Sequence, residues 1–183
     1  MVKAAADSAN WITFPSPNPA NSKTGVVTGR GIACVLYEGN NGYSAMVAEV
    51  QVDQSTGAVT VTNLYAAQDS GPVCNPNGLR NQMEGGALQG MSRALYEEVK
   101  WRSGFVTSAD WLTYRVYSWG MPLPKITTVL VNPTSGPEMG AGECTITLSA
   151  AAIGNAVFDA TGARLRQVPF TPDRVLAALA ARG

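Results

Sequence analysis

Apolar residues recur at helical spacing from position 79 onward: Leu79, Met83, Ala87, Met91, Leu95 and Val99 mark one face of a helix, with Asn77 as its N-cap candidate. Gly85, Gly86 and Gly90 lie inside that pattern, and each costs about 1 kcal/mol relative to Ala in a helix interior. Two readings follow. The commoner one is close packing against another helix or strand. The other is a cofactor lying along the glycine face, with Gln82 and Gln89 offering amide donors and acceptors.

Upstream the period falls to two. Residues 32–37 read as a strand, 38–43 as a turn and 44–52 as a second strand. After a tight turn at 53–57, residues 58–65 alternate Val59 and Val61 against Thr60 and Thr62, as a half-buried strand does. Three strands on short turns predict an antiparallel meander, which delivers the chain to the loop Asp69-Ser70-Gly71-Pro72 ahead of the helix. Residues 1–11 predict a short helix, and residues 12–30, with Pro15, Pro17, Pro19 and Gly25, read as a linker.

Beyond the helix, residues 111–119 are rich in aromatics, which reads as core lining in preference to a substrate channel, and 126–131 predict one more strand. In Pro137-Glu138-Met139-Gly140-Ala141-Gly142-Glu143, two glycines around one alanine allow positive φ or close approach to a ligand. The following run, 148–158, is apolar or small on nearly every side, predicting a buried helix that Gly162 ends. Alternation in 144–148 leaves a strand entry open. A helix starting near Glu143 would set positive potential beside that carboxylate, favouring the ionised form a general base needs. The plainer alternative is an acid that only caps its own helix. Thr171 and Pro172 predict the start of a last helix.

Composition narrows the chemistry. The 183 residues fit one domain or a piece of a larger one, and Lys plus Arg equals Asp plus Glu at 13 each, so nothing draws nucleic acid. No apolar run reaches the roughly 18 residues of a membrane span. Histidine is absent, which removes Ser-His and Cys-His nucleophile pairs and His-based metal sites made by this chain alone. Cys34, Cys74 and Cys144 are far apart and odd in number, unlike a disulfide framework or a four-ligand cluster. Carboxylates, amides, backbone groups and a bound cofactor are left to carry any reaction.

The ordered segments Gly-Arg-Gly-Ile-Ala, Val-Ala-Glu-Val, Asp-Ser-Gly-Pro-Val-Cys-Asn-Pro, Asn-Gln-Met-Glu-Gly-Gly, Gln-Gly-Met-Ser-Arg-Ala-Leu, Gly-Ala-Gly-Glu and Asn-Ala-Val-Phe-Asp-Ala-Thr-Gly resemble the molybdopterin-binding large subunit of the xanthine dehydrogenase and aldehyde oxidase family. The likeness is strongest over residues 29–172 and looks closest to the bacterial branch that includes the isoquinoline 1-oxidoreductase beta subunit. It implies that Glu143 is the active-site base, which takes a proton from a molybdenum-bound hydroxide as that oxygen attacks an N-heterocycle or aldehyde and hydride passes to a sulfido ligand. It implies that Gln82 hydrogen-bonds the pterin and that Gly140, Ala141 and Gly142 form the loop near the metal. The cofactor would be molybdopterin or its cytosine dinucleotide form, with no metal held directly by this chain. The family's glutamate is commonly followed by proline, whereas Cys144 and Thr145 follow here, so that turn is expected to be built differently.

The expected fold is α+β: antiparallel strands packed with the glycine-bearing helix and a buried helix in the C-terminal half. Residues 1–30 are a short helix and proline-rich linker, and 31–183 the cofactor-binding C-terminal domain. Family large subunits are several times longer, so the expected partners are the remaining half of that subunit and an iron–sulfur electron-transfer subunit. The chain alone is expected neither to retain cofactor nor to turn over, and to expose apolar surface that promotes self-association. A non-catalytic binding or assembly domain that keeps the fold is the other class of reading. No signal peptide or membrane span is seen in the sequence, giving a cytoplasmic default, or a periplasmic location if a leader precedes it.

Overall fold

The computed structural model describes residues 1–182. In chain order the elements are α1 (Val2–Ser8), β1 (Val26–Leu36), β2 (Tyr43–Asp53), β3 (Ala58–Asp69), α2 (Pro76–Leu95), β4 (Trp101–Arg102), β5 (Phe105–Val106), β6 (Lys125–Leu130), α3 (Cys144–Thr161) and α4 (Pro172–Ala180). The meander forms as its alternation predicts, with Leu36 opposite Tyr43 and Tyr43 opposite Asp69 in antiparallel ladders. β6 then adds in parallel beside β3, pairing Asn63 with Lys125 through to Gln68 with Leu130, so the sheet order is β1–β2–β3–β6.

Strand alternation gives the sheet two apolar faces. On one, Met46, Ala48, Val50 and Val52 of β2, with Leu64 and Ala66 of β3, pack under Met83, Ala87 and Met91 of α2 and Leu148, Ile153 and Val157 of α3. On the other, Ala45, Val47 and Ala67 meet Ala5 and Ala9 at the N-terminal helix. That helix is tied down by Arg30, which forms an ion pair with Glu49 at 3.1 Å and lies over the Trp11 ring. The N-terminal residues are therefore part of the same packed body, and the boundary drawn at residue 30 falls inside a strand.

The glycines decide how closely the helices lie. A Cβ on Gly29 or Gly31 would come within 2.2 Å of the Ala156 or Ala152 carbonyl oxygen, so α3 rests on bare β1 backbone. A Cβ on Gly86 would meet Thr145 Oγ1 at 2.4 Å and one on Gly90 would meet Ser149 Oγ at 2.5 Å, which brings α2 equally close to α3. Thr145 Oγ1 donates to the Met83 carbonyl across this contact, at 3.1 Å. Gly85 differs, since nothing lies within 4 Å of its Cβ position. Close packing explains Gly86 and Gly90, while Gly85 sits with Gln82 and Gln89 on the exposed side of α2.

Several local expectations change. Asn75 caps α2 in place of Asn77, its side chain accepting the Gly78 N–H at 2.9 Å while Pro76 takes the first helical position. β1 begins at Val26, six residues before the predicted onset, because Val26 to Arg30 pair with Asp53 to Glu49. The aromatics of 111–119 are not a core: Trp111 is 84% and Trp119 fully exposed, and Tyr117 alone of these packs at the margin of the main cluster. α3 is helical from Cys144, so its alternating start does not make a strand, and Gly162 stops it with φ +77°.

Gly31→Ala forces the Ala152 carbonyl away and is expected to cost about 2 kcal/mol or more. Gly85→Ala meets nothing and is expected to add about 0.5–1 kcal/mol. Urea denaturation of the two variants beside the parent chain reads both signs.

Candidate functional site

The loop before α3 is held from three sides. The Gly140 N–H donates to Asn41, to Oδ1 at 2.8 Å and to the backbone oxygen at 3.1 Å. Ser70 Oγ donates to the Gly140 carbonyl at 3.1 Å, and Gln68 Nε2 donates to the Ala141 carbonyl at 3.0 Å. Gln68 is fully buried and also donates to Ser70 Oγ at 2.8 Å, which leaves its Oε1 buried with no partner among the described residues. Neither Gly140 nor Gly142 has a positive φ. Gly140 is needed because a Cβ would press on Asn41 at 3.0 Å, whereas the Cβ position of Gly142 is open, with Gln82 Oε1 nearest at 3.9 Å.

Glu143 stands in the N-cap position of α3 and makes no side-chain cap bond. Its carboxylate accepts instead from the Tyr37 hydroxyl, at 2.6 Å from Oη to Oε2. The plain reading, an acid that only caps its own amides, is thereby removed. The peptide N–H groups of Gly142, Glu143 and Thr145 have no acceptor among the described residues. That hydrogen bond to Glu143, with burial and the negative charges of Glu143 and Glu38 after it, pushes the Tyr37 phenol up to about 12. Burial likewise raises the Cys144 thiol, keeping it protonated in the neutral range.

Of the residues picked from sequence, Gln82, Gly140, Ala141, Gly142 and Glu143 lie in one neighbourhood: Gln82 flanks Gly142, and a pocket of about 270 Å³ runs between Gln82, Ala141, Cys74 and Asn75. Gln89 sits two turns along α2, beside Val116 and Tyr117. Tyr37, Asn41 and Ser70 carry no mark in the sequence pattern that singles them out for the site. Gln68 was findable, as a polar residue in the helix-facing phase of β3 after Leu64 and Ala66, whereas Tyr37 acts across 106 positions of sequence. A second groove, of about 530 Å³, lies at the other end of α2 between Val59, Val61, Met91, Leu95 and Phe170, away from these residues.

A family model described as a molybdopterin cofactor-binding domain matches residues 37–120. A nicotinate dehydrogenase subunit of Pseudomonas putida is 38% identical over 189 residues, covering 100% of this chain and 16% of the relative. The beta subunit of isoquinoline 1-oxidoreductase from Brevundimonas diminuta is 30% identical, covering 94% of this chain and 21% of the relative. The crystal structure of quinoline 2-oxidoreductase from Pseudomonas putida 86 superposes with a TM-score of 0.71 at 27% identity, over 78% of this chain and 19% of the other. The chain belongs to the molybdenum-binding subunit family of the xanthine dehydrogenases and aldehyde oxidases. It spans about a fifth of the length of these relatives, some of which are named as subunits.

The residues present fit the family's molybdenum–pterin cofactor. Free N–H groups at the start of a helix suit an oxygen-rich, anionic ligand. The open backbone at Gly142, with the Gln82 amide beside it, suits a flat hydrogen-bonding ring system. Among the described residues, no three His, Cys, Asp or Glu side chains gather as a metal site, and no helix is long and apolar enough to cross a membrane.

A raised phenol value fixes the sign of one pH effect. The stabilisation from the Tyr37–Glu143 bond is complete below pH about 10, the ordinary phenol value, and is lost as pH rises through about 12. The gap in urea midpoint between the parent chain and Tyr37→Phe should close over that window; a gap that stays constant from pH 9 to 12 would contradict it.

Proposed function

We propose that this chain supplies the base and one wall of the cofactor cleft in a molybdenum hydroxylase that oxidises an N-heterocycle or an aldehyde. The observation that carries this reading is Glu143, an ionisable group at the start of α3 that leaves its own helix uncapped and takes one hydrogen bond from Tyr37. The residues that would hold the cofactor are Gln82 and the N–H groups of Gly142 and Glu143. The carbonyls of Gly140 and Ala141 are already taken by Ser70 and Gln68, so those two residues act by fixing the loop.

When bound, the molybdenum–pterin group supplies the two-electron redox centre for hydroxylation of a substrate carbon. Glu143 Oε1, which has no partner among the described residues, accepts the proton released as that carbon is hydroxylated. Gln82 and the loop keep the reacting groups in register, and the uncapped start of α3 offers fixed dipoles where charge builds.

The names of the relatives, nicotinate dehydrogenase and isoquinoline 1-oxidoreductase, favour a nitrogen heterocycle as substrate, with aldehydes as the other class. The partners are the remainder of the large subunit and an iron–sulfur subunit that carries electrons away. Exposure supports the first of these. Trp101, Phe105, Trp111, Leu112, Trp119 and Leu123 all project from the segment between α2 and β6, more apolar surface than a solitary chain usually leaves in water.

Metal analysis and turnover assays test the reading. The chain purified alone should hold no stoichiometric molybdenum. Assembled with the remainder of the large subunit it should hold it and oxidise an N-heterocycle or aldehyde, and Glu143→Gln should keep the metal while losing roughly 10²- to 10⁴-fold in kcat. Full activity in Glu143→Gln removes the carboxylate from this role, and an assembled, loaded complex that oxidises neither class makes the chain a binding domain only.

A further inference from the structure

The turn between β1 and β2 touches the Glu143 loop at three places. Tyr37 Oη donates to Glu143 Oε2, and Asn41 receives the Gly140 N–H through both side chain and backbone. Gly42, at φ +138°, passes so near that a Cβ would lie 2.6 Å from Cys144 Sγ and 3.1 Å from the Gly140 oxygen. The turn is itself fixed: the Tyr37 N–H donates to the Gly42 oxygen at 2.9 Å, the Asn41 N–H to the Tyr37 oxygen at 2.9 Å, and Asn41 Nδ2 to Glu38 at 3.0 Å.

The register of α3 on β1 explains why these groups meet. Gly31 lies against Ala152 and Ala156, and Gly29 against Ala156 and Ala160. Two residues of strand, about 6.7 Å, thus match four of helix, about 6 Å. Continuing this match past the end of β1 sets Tyr37 opposite roughly residue 142, and the hydrogen bond to Glu143 is found there.

We propose that Tyr37 is a positioning residue for the base and that the 37–42 turn is the device that aims it. The proposal rests on the reading of Glu143 as base. An exposed glutamate side chain turns about three bonds, and restricting it beforehand removes an entropy cost that the reaction would otherwise carry. Tyr37 holds Oε2, and Oε1 is left for the proton. The charged or titratable groups facing the phenol are Glu143, Glu38 and Cys144, and none is a cation that could hold the carboxylate in its place.

Two measurements test this. With ¹³Cζ-labelled tyrosine in the chain alone, the Tyr37 resonance, assigned by its loss in Tyr37→Phe, should titrate near 12 and fall toward 10 in Glu143→Ala. The same titration in both proteins overturns the proposal. In the assembled, molybdenum-loaded enzyme, Tyr37→Phe should lower kcat about tenfold to a hundredfold, with KM within about twofold and metal content unchanged. An inactive Glu143→Gln beside a fully active Tyr37→Phe overturns the positioning role and leaves the base intact, whereas a fully active Glu143→Gln overturns the base itself.

Discussion

The contact between α3 and β1 is made through backbone, and most of the molecule is arranged around it. Two glycines on the strand and three alanines on the helix remove the side chains that normally hold a helix away from a sheet. So close to the strand, α3 side chains reach over it to its outer edge: Asn155 donates to the Ile32 carbonyl, and Asp159 accepts the Arg30 N–H, both at 3.0 Å. Asn21 donates to the Thr28 carbonyl at 2.8 Å. An edge that would offer itself to another strand is closed for three alternate residues. The same bonds stop the helix from sliding, since 155 and 159 are one turn apart and 30 and 32 one strand repeat apart. The start of α3, and with it Glu143, inherits a fixed position from groups several turns away.

The second helix repeats the device on the other flank. Gly86 and Gly90 admit Thr145 and Ser149, and these hydroxyls donate to the Met83 and Thr145 carbonyls, so the close approach leaves neither hydroxyl unpaired. The two glycine residues that look wasteful in an isolated helix are offset by contact with a neighbour, as the cautious reading of the pattern holds. Gly85 has no such neighbour and stands between Gln82 and Gln89 on the open side. Close packing thus accounts for two of the three glycines and not for Gly85, and a pattern along one sequence cannot separate them because adjacent helix positions point about 100° apart.

What was legible follows from locality. The meander, the helix begun at 79 and the stop at Gly162 are set by alternation, by helical period and by one left-handed residue, and all of these are written within a few positions, although the helix ends at Leu95, one turn short of the Val99 that the period reached. The start of β1 was hidden because Gly29 and Gly31 lower strand propensity for the sake of a helix that lies more than a hundred residues downstream. Trp111 and Trp119 misled for another reason: aromatic density does not say where a covering surface lies, and among the described residues none covers these two. The candidate site was half legible. Glu143 and Gln82 were singled out by resemblance and lie in one neighbourhood, but Tyr37 donates across the fold and carries no local mark of doing so.

The absence of a side-chain cap at α3 ties these points together. A glutamate bonded back to its own first turn would consume the N–H groups that a helix start offers to an anion, and its carboxylate would be occupied as well. Held from outside by a phenol, it leaves both free: the exposed donors of Gly142 and Glu143 keep no acceptor among the described residues, and one carboxylate oxygen stays open. Proline after the glutamate, the family's common choice, would remove one N–H group from the helix start. Cys144 keeps its own, with its buried thiol turned toward the Gly140 carbonyl at 3.7 Å. Here the cysteine packs inward under the loop, and the β1–β2 turn holds that loop from outside through Tyr37 and Asn41.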